Sequence, residues 1–274
     1  MMDTERLASR IAIRRAQHLE KALDDAKHWC AAPNMLVGNK PSDQHWLELF
    51  GSETQRSVDA SDAHAFLTTF MLTNRVSWDK AAVAGVFNEY RETPAGPVEE
   101  DVQRLSFRLM DCIRSRNKSL QTSAASKFAL FAKPHARVFI WDQLASRSDR
   151  LRDWTRASEK PRSAFLNKLY RRSTERQGRK VEMPDYAAYA AACAAALEEE
   201  LAREDFRQAA DDFTAYLSAV GGPMSNPVVA DRDFTQRRLL DKLMFWEGHA
   251  IRSWSGNRET AEDLPERQLV ELML

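Results

Sequence analysis

The chain has 274 residues, 43% of them hydrophobic, with 40 basic and 40 acidic side chains. That balance excludes an intrinsically disordered chain, and the zero formal charge excludes a global field that would draw the whole molecule to nucleic acid or to an anionic membrane. Glycine, at 9 residues, is well below its usual share of about 7%, which disfavours a fold of many short strands and tight turns and predicts helices.

In chain order, residues 3–31 carry Leu7, Ile11, Leu19, Leu23 and Ala26 at mostly helical spacing and stop before Pro33. Pro41-Ser42-Asp43 opens a short helix through Phe50. Ser61-Asp62 is read as the cap of the next, with Phe66, Phe70 and Met71 on its inner face, and Ser77 as the cap of a helix carrying Val83, Val86, Phe87 and Tyr90. A break at Pro94 to Pro97 is followed by a helix over 98–116, with Leu105, Leu109, Cys112 and Ile113 inward. Further helices are predicted from Thr122 to Lys133, from near Asp142, from Pro161, and from Pro184 through to Val220. Gly221 to Pro227 is a loop, a final long helix spans about 232–253, and a shorter one follows. The strand-like run Val138-Phe139-Ile140-Trp141 has no partner strand in the sequence and is read as an apolar entry packed on the core.

The expected architecture is all-α, an orthogonal bundle of about ten helices, with an amino-terminal helical portion at 1–96 and a helical core at 97–274 that together can form one continuous domain. Three cysteines, Cys30, Cys112 and Cys193, lie far apart and outside any C-x-x-C pattern, which fits a reducing compartment and argues against a disulfide framework or a structural zinc. The amino terminus lacks an apolar run of signal-peptide type, and no stretch of about 18 apolar residues offers a membrane span. The expected location is therefore the cytoplasm, with no membrane partner.

Charge is uneven along the chain. Residues 147–180 hold twelve Arg or Lys against four acids, and residues 182–212 hold nine acids against two Arg. Complementary solvated faces explain this if the two segments pair, within one chain or between copies in a homo-oligomer. A phosphate backbone lying on the basic segment explains it equally, with Arg147, Arg171, Arg172 and Arg176 as contacts. Glycine-rich phosphate loops, H-E-x-x-H and G-x-S-x-G are absent, and the six histidines lack ligand spacing, so no metal or cofactor is expected. His28 and His45, each beside a tryptophan, are read as partly buried packing residues.

The stretch that offers chemistry is 122–145. Small residues at Ser123, Ala124, Ala125 and Ser126 allow close approach of a helix or a ligand, and Lys127 follows them beside Phe128. An amine placed so is either a solvated lysine in the first turns of a helix or, if desolvated, a nucleophile with a lowered pKa. Asp142 ends an apolar run, and serves as a helix cap or as a carboxylate held ionised at a helix start.

Ser123-x-x-Ser126-Lys127-Phe128, then Pro134, then Val138-Phe139-Ile140-Trp141-Asp142, resembles the core of divergent helix-hairpin-helix DNA glycosylases, the 8-oxoguanine-glycosylase-like group. The segment Arg237-Arg238-Leu239-Leu240-Asp241-Lys242-Leu243, running into Phe245-Trp246 and Gly248, is similar to the closing helix of divergent members. The resemblance implies DNA as partner, with Ser123 and Ser126 near it. Lys127 is then the amine that attacks sugar C1′ of a flipped nucleotide, and Asp142 the carboxylate that stabilises the cationic sugar. The setting it implies is DNA repair or defence against modified phage DNA. Ser-Ala-Ala-Ser stands where the family has hairpin glycines, and the Lys-to-Asp spacing is shorter than in well-known members. A diverged enzyme and a descendant that keeps the fold without the chemistry both fit, as does a non-catalytic helical subunit that binds DNA or protein.

Overall fold

A computed structural model describes residues 4–30, 41–51, 56–73, 76–94, 96–115, 119–156, 171–176, 179–221, 228 and 231–255. Within them ten helices are formed: α1 (Thr4–Cys30), α2 (Asp43–Phe50), α3 (Ala60–Thr69), α4 (Lys80–Glu92), α5 (Val98–Asp111), α6 (Thr122–Ala132), α7 (Gln143–Arg156), α8 (Tyr186–Leu201), α9 (Glu204–Gly221) and α10 (Arg232–Ser255). The all-α reading holds. No helix among the described residues is long and apolar enough to cross a membrane. The helices expected from Pro161 and near the carboxyl terminus lie outside the described residues.

Several local expectations are corrected. Asp59 rather than Ser61 caps α3: its Oδ1 accepts from the Ser61 and Asp62 amides at 2.8 and 2.9 Å, and the Asp62 side chain accepts from the Asp59 amide. Asp79 rather than Ser77 caps α4, accepting from the Ala82 amide at 3.2 Å. The span read as one helix from Pro184 to Val220 is two helices, α8 and α9, with Asp185 as the cap of α8. No glycine or proline marks that break. No strand was expected in the basic segment, yet Arg171–Arg176 (β1) pairs antiparallel with Arg179–Pro184 (β2). The register runs from Arg171 opposite Pro184 to Arg176 opposite Arg179.

A single cluster of buried side chains runs from Leu19 to Met244, so the boundary at 96 and 97 does not separate two cores. Its densest part is aromatic. Phe87 and Phe128 stack with centroids 3.7 Å apart, and Phe50 and Phe66 meet Phe128 edge-on. This anchors α6 from the residue next to Lys127. On the other side α10 packs closely along α7 at Gly248, where a Cβ would stand 2.0 Å from the Leu144 carbonyl oxygen.

The apolar run 138–141 is buried and extended, as expected, without joining a strand. Side chains satisfy its backbone instead. The Tyr186 hydroxyl accepts from the Phe139 amide and donates to its carbonyl, at 3.1 and 2.8 Å. Tyr189 donates to the Ile140 carbonyl at 2.7 Å, and Arg237 to those of Pro134 and Val138 at 2.7 and 3.1 Å. These bonds hold the segment where it delivers Asp142.

Candidate functional site

Lys127 and Asp142 stand fifteen positions apart in the chain, yet both line one pocket of about 230 Å³. Five stretches of chain build it. Helix α1 supplies Asp25 and Trp29, the end of α3 supplies Thr69, Phe70 and Met71, and α6 supplies Lys127. Ile140 and Asp142 come from the extended segment, and α10 contributes Arg238, Asp241, Lys242, Phe245 and Trp246. The α10 set follows the i, i+3, i+4, i+7, i+8 spacing of one helix face, while Leu239, Leu240, Leu243 and Met244 turn into the core.

Lys127 is 8% exposed, and its Nζ donates to Ser123 Oγ, one helical turn back, at 2.7 Å. Burial lowers its pKa from the ordinary lysine value. The Asp142 and Asp241 carboxylates oppose that, while the Arg238 and Lys242 charges add to it. The solvated alternative for this lysine is thereby removed. Asp142 is half-buried and caps α7: its Oδ1 accepts from the Leu144 amide at 2.7 Å and its carbonyl from the Ser146 amide at 2.9 Å. The cap reading and the pocket reading hold together, since the positive helix end fixes a carboxylate that also faces the cavity.

Arg238 is the keystone of the pocket floor. It donates to Asp43 Oδ2 through Nε at 2.7 Å and to Asp241 Oδ2 through Nη1 at 2.8 Å. A second guanidinium nitrogen stands 2.6 Å from Asp43, whose Oδ2 also takes the Cys30 thiol at 3.1 Å. Burial alone would lower the Arg238 pKa, but Asp43 and Asp241 outweigh it and the net shift is upward. For Asp241 burial wins and its pKa is raised, although Arg238 and Lys242 pull the other way. Lys242 pairs with Asp25 at 3.2 Å and stands over the Trp29 ring at 4.8 Å.

At the mouth lies Met71, 66% exposed with φ of 54°. The Leu72 amide bonds the Leu67 carbonyl and the Met71 amide that of Thr68, at 2.7 and 3.0 Å, the two closing bonds of a Schellman turn. Glycine usually holds this left-handed position. A methionine there points an apolar side chain outward at the pocket rim and corrects its expected place on the inner face of α3.

The remaining expected site residues are dispersed. Ser123 serves Lys127, as given above. Ser126 is fully buried, donating to the Ser123 carbonyl and accepting from the Trp141 amide at 2.8 Å, so it is part of the core rather than a surface for phosphate. Arg147 is half-buried on α7. Arg171, Arg172 and Arg176 lie on β1, and their side chains are outside the described residues. The charged segments meet in the β1–β2 hairpin, where Ser173 pairs with Glu182, and through Arg152 with Glu200 at 2.6 Å; Glu200 also takes Arg15 of α1. His45 packs edge-on against Trp46, with its pKa lowered by burial, whereas His28 is exposed.

Asp241, Lys242, Arg238 and the aromatic walls were not expected as site residues. The available signal was three charges on the face of a helix whose other face is apolar, a pattern that solvated faces share. No group of three or more His, Cys, Asp or Glu among the described residues is arranged to hold a metal ion. Set against family models, curated proteins and solved structures, the chain gives no match, so the reading of its chemistry rests on this pocket.

Proposed function

We propose that the pocket receives a nucleobase turned out of DNA, and that the protein is a divergent DNA glycosylase-like enzyme with Lys127 and Asp142 as its working pair. The observation that carries this is their meeting in one aromatic-walled cavity, a desolvated amine beside a capped carboxylate. Three carboxylates and three cations line the cavity (Asp25, Asp142 and Asp241 against Lys127, Arg238 and Lys242). The formal charges balance with Lys127 protonated and fall to −1 with Lys127 as the amine, and either state suits an uncharged ring better than a phosphate. Its volume falls below the roughly 300–1,000 Å³ of drug-sized sites, room for a single ring system between Trp29, Phe70, Phe245 and Trp246.

In this reading Lys127 in its amine form attacks C1′. The C1′–N bond breaks, and its electron pair leaves with the base, which takes a proton from solvent. Asp142 stabilises the positive charge that develops on the sugar and accepts the proton shed by the new C–N bond. Opening of the sugar ring leaves an imine on Lys127, which water hydrolyses.

The test is incubation with duplexes carrying a panel of modified bases in the presence of borohydride, which reduces the imine to a stable adduct. The wild type is expected to give the adduct, Lys127→Met to lose it, and Asp142→Asn to lose base release. A wild type that yields neither adduct nor free base across the panel removes the enzymatic reading.

A further inference from the structure

Asp241 has no role in the pair just described, yet its setting is specific. It lies on the α10 face between Arg238 and Phe245, all three lining the pocket. Its Oδ2 is held by Arg238 at 2.8 Å, and Arg238 is itself fixed by the fully buried Asp43. The carboxylate therefore cannot turn freely. Its other oxygen, Oδ1, accepts no hydrogen bond among the described residues, and the side chain is only 17% exposed. A mostly desolvated acceptor, oriented and left open at the wall of an aromatic cavity, calls for a donor brought by the occupant.

We infer that Asp241 reads the edge of the ring in the pocket, accepting an N–H on Oδ1, so that the site selects uncharged planar heterocycles with a donor edge over those with acceptors only. This rests on reading the pocket as a nucleobase site. The division of labour follows from position: Lys127 and Asp142 come from α6 and the segment before α7, whereas Asp241 comes from α10. Sites built around a buried acceptor discriminate strongly, because a ligand that lacks the donor leaves the acceptor unpaired.

Trp29 and Trp246 line the pocket, so quenching of intrinsic fluorescence in the full chain reports occupancy. The probes are 9-methylhypoxanthine, whose N1 carries a hydrogen, and 9-methylpurine, whose N1 is an acceptor. The wild type is expected to bind 9-methylhypoxanthine at least about tenfold more tightly. In Asp241→Asn, whose amide can turn either atom to the ring, the ratio is expected to fall to about threefold or less, chiefly because 9-methylpurine gains a donor and binds more tightly. The wild-type ratio is read without any variant, so a misfolded variant does not shelter the proposal. Equal binding of the two probes, no binding of either, or an Asn variant that keeps the tenfold ratio overturns it. A wild type without adduct or base release that keeps the donor preference loses the catalytic reading alone. One that excises a base but binds the two probes alike loses the Asp241 assignment alone.

Discussion

Replacing Arg238 by methionine keeps an unbranched side chain of similar reach and removes only the guanidinium. In the folded protein that group makes two close contacts with Asp43 Oδ2, at 2.7 and 2.6 Å, and one with Asp241 at 2.8 Å. Without it Asp43, fully buried, keeps the Cys30 thiol on one oxygen and nothing on Oδ1, which already lacks a partner. Removing one member of a buried ion pair costs about 3–5 kcal/mol, chiefly from the charge left behind. Asp43 also sits in the first turn of α2, whose dipole returns about 0.3–1 kcal/mol, and Asp241 retains Lys242 beside it. The expected loss is therefore near the lower end, about 3 kcal/mol, against a total stability of roughly 5–15 kcal/mol. Urea unfolding followed by tryptophan fluorescence measures it, with the denaturant slope unchanged. Adding Asp43→Leu to the same chain removes the orphaned carboxylate and is expected to recover most of the loss. A cost below about 1 kcal/mol for Arg238→Met, or a double variant no more stable than the single, refutes this account of the pocket floor.

Three further outcomes are expected from the same geometry. Because the folded pKa of Lys127 lies below its unfolded value, the unfolded chain binds more protons between the two. Stability thus rises with pH through that window, and the difference between wild type and Lys127→Met should narrow there, the variant being the more stable at neutral pH; a variant less stable at pH 7 contradicts it. Gly248→Ala should cost about 2–3 kcal/mol in urea unfolding, since its methyl meets backbone at Leu144 that cannot swing away. Met71→Gly should relieve the left-handed strain and stabilise by about 0.5–1 kcal/mol while weakening ligand quenching at the pocket, and a destabilised glycine variant shows that the Met71 side chain packs more than its exposure indicates.

How far the chain was legible depended on whether a feature is local. Helices α1, α2, α4 to α7 and α10 were anticipated within a few residues because apolar spacing and proline breaks act over one or two turns. The α8–α9 break had no such marker. The β1–β2 hairpin was not anticipated, because Arg171–Arg176 carries no alternation of apolar and polar residues to mark a strand. Ser126 was expected near DNA because small residues before a lysine suit a ligand as well as a helix contact. Its 2.8 Å bond to the Trp141 amide comes from a segment fifteen residues away.

Lys127 and Asp142 could be singled out from sequence because each stands next to an apolar run that predicts partial burial. Their meeting could not, since it depends on the tyrosines of α8 fastening the extended segment beside α6. Nor could the third acid. Arg238, Asp241 and Lys242 have the spacing of an ordinary solvated helix face, and burial of that face is decided by Trp29 and Phe70 arriving from α1 and α3. The sequence by itself determined the all-helical class, through periodicities that need no distant contact, and drew attention to Lys127 and Asp142 by the apolar runs beside them. Only the tertiary structure decided which charges are desolvated, because the cost of burying a charge depends on what long-range packing places against it.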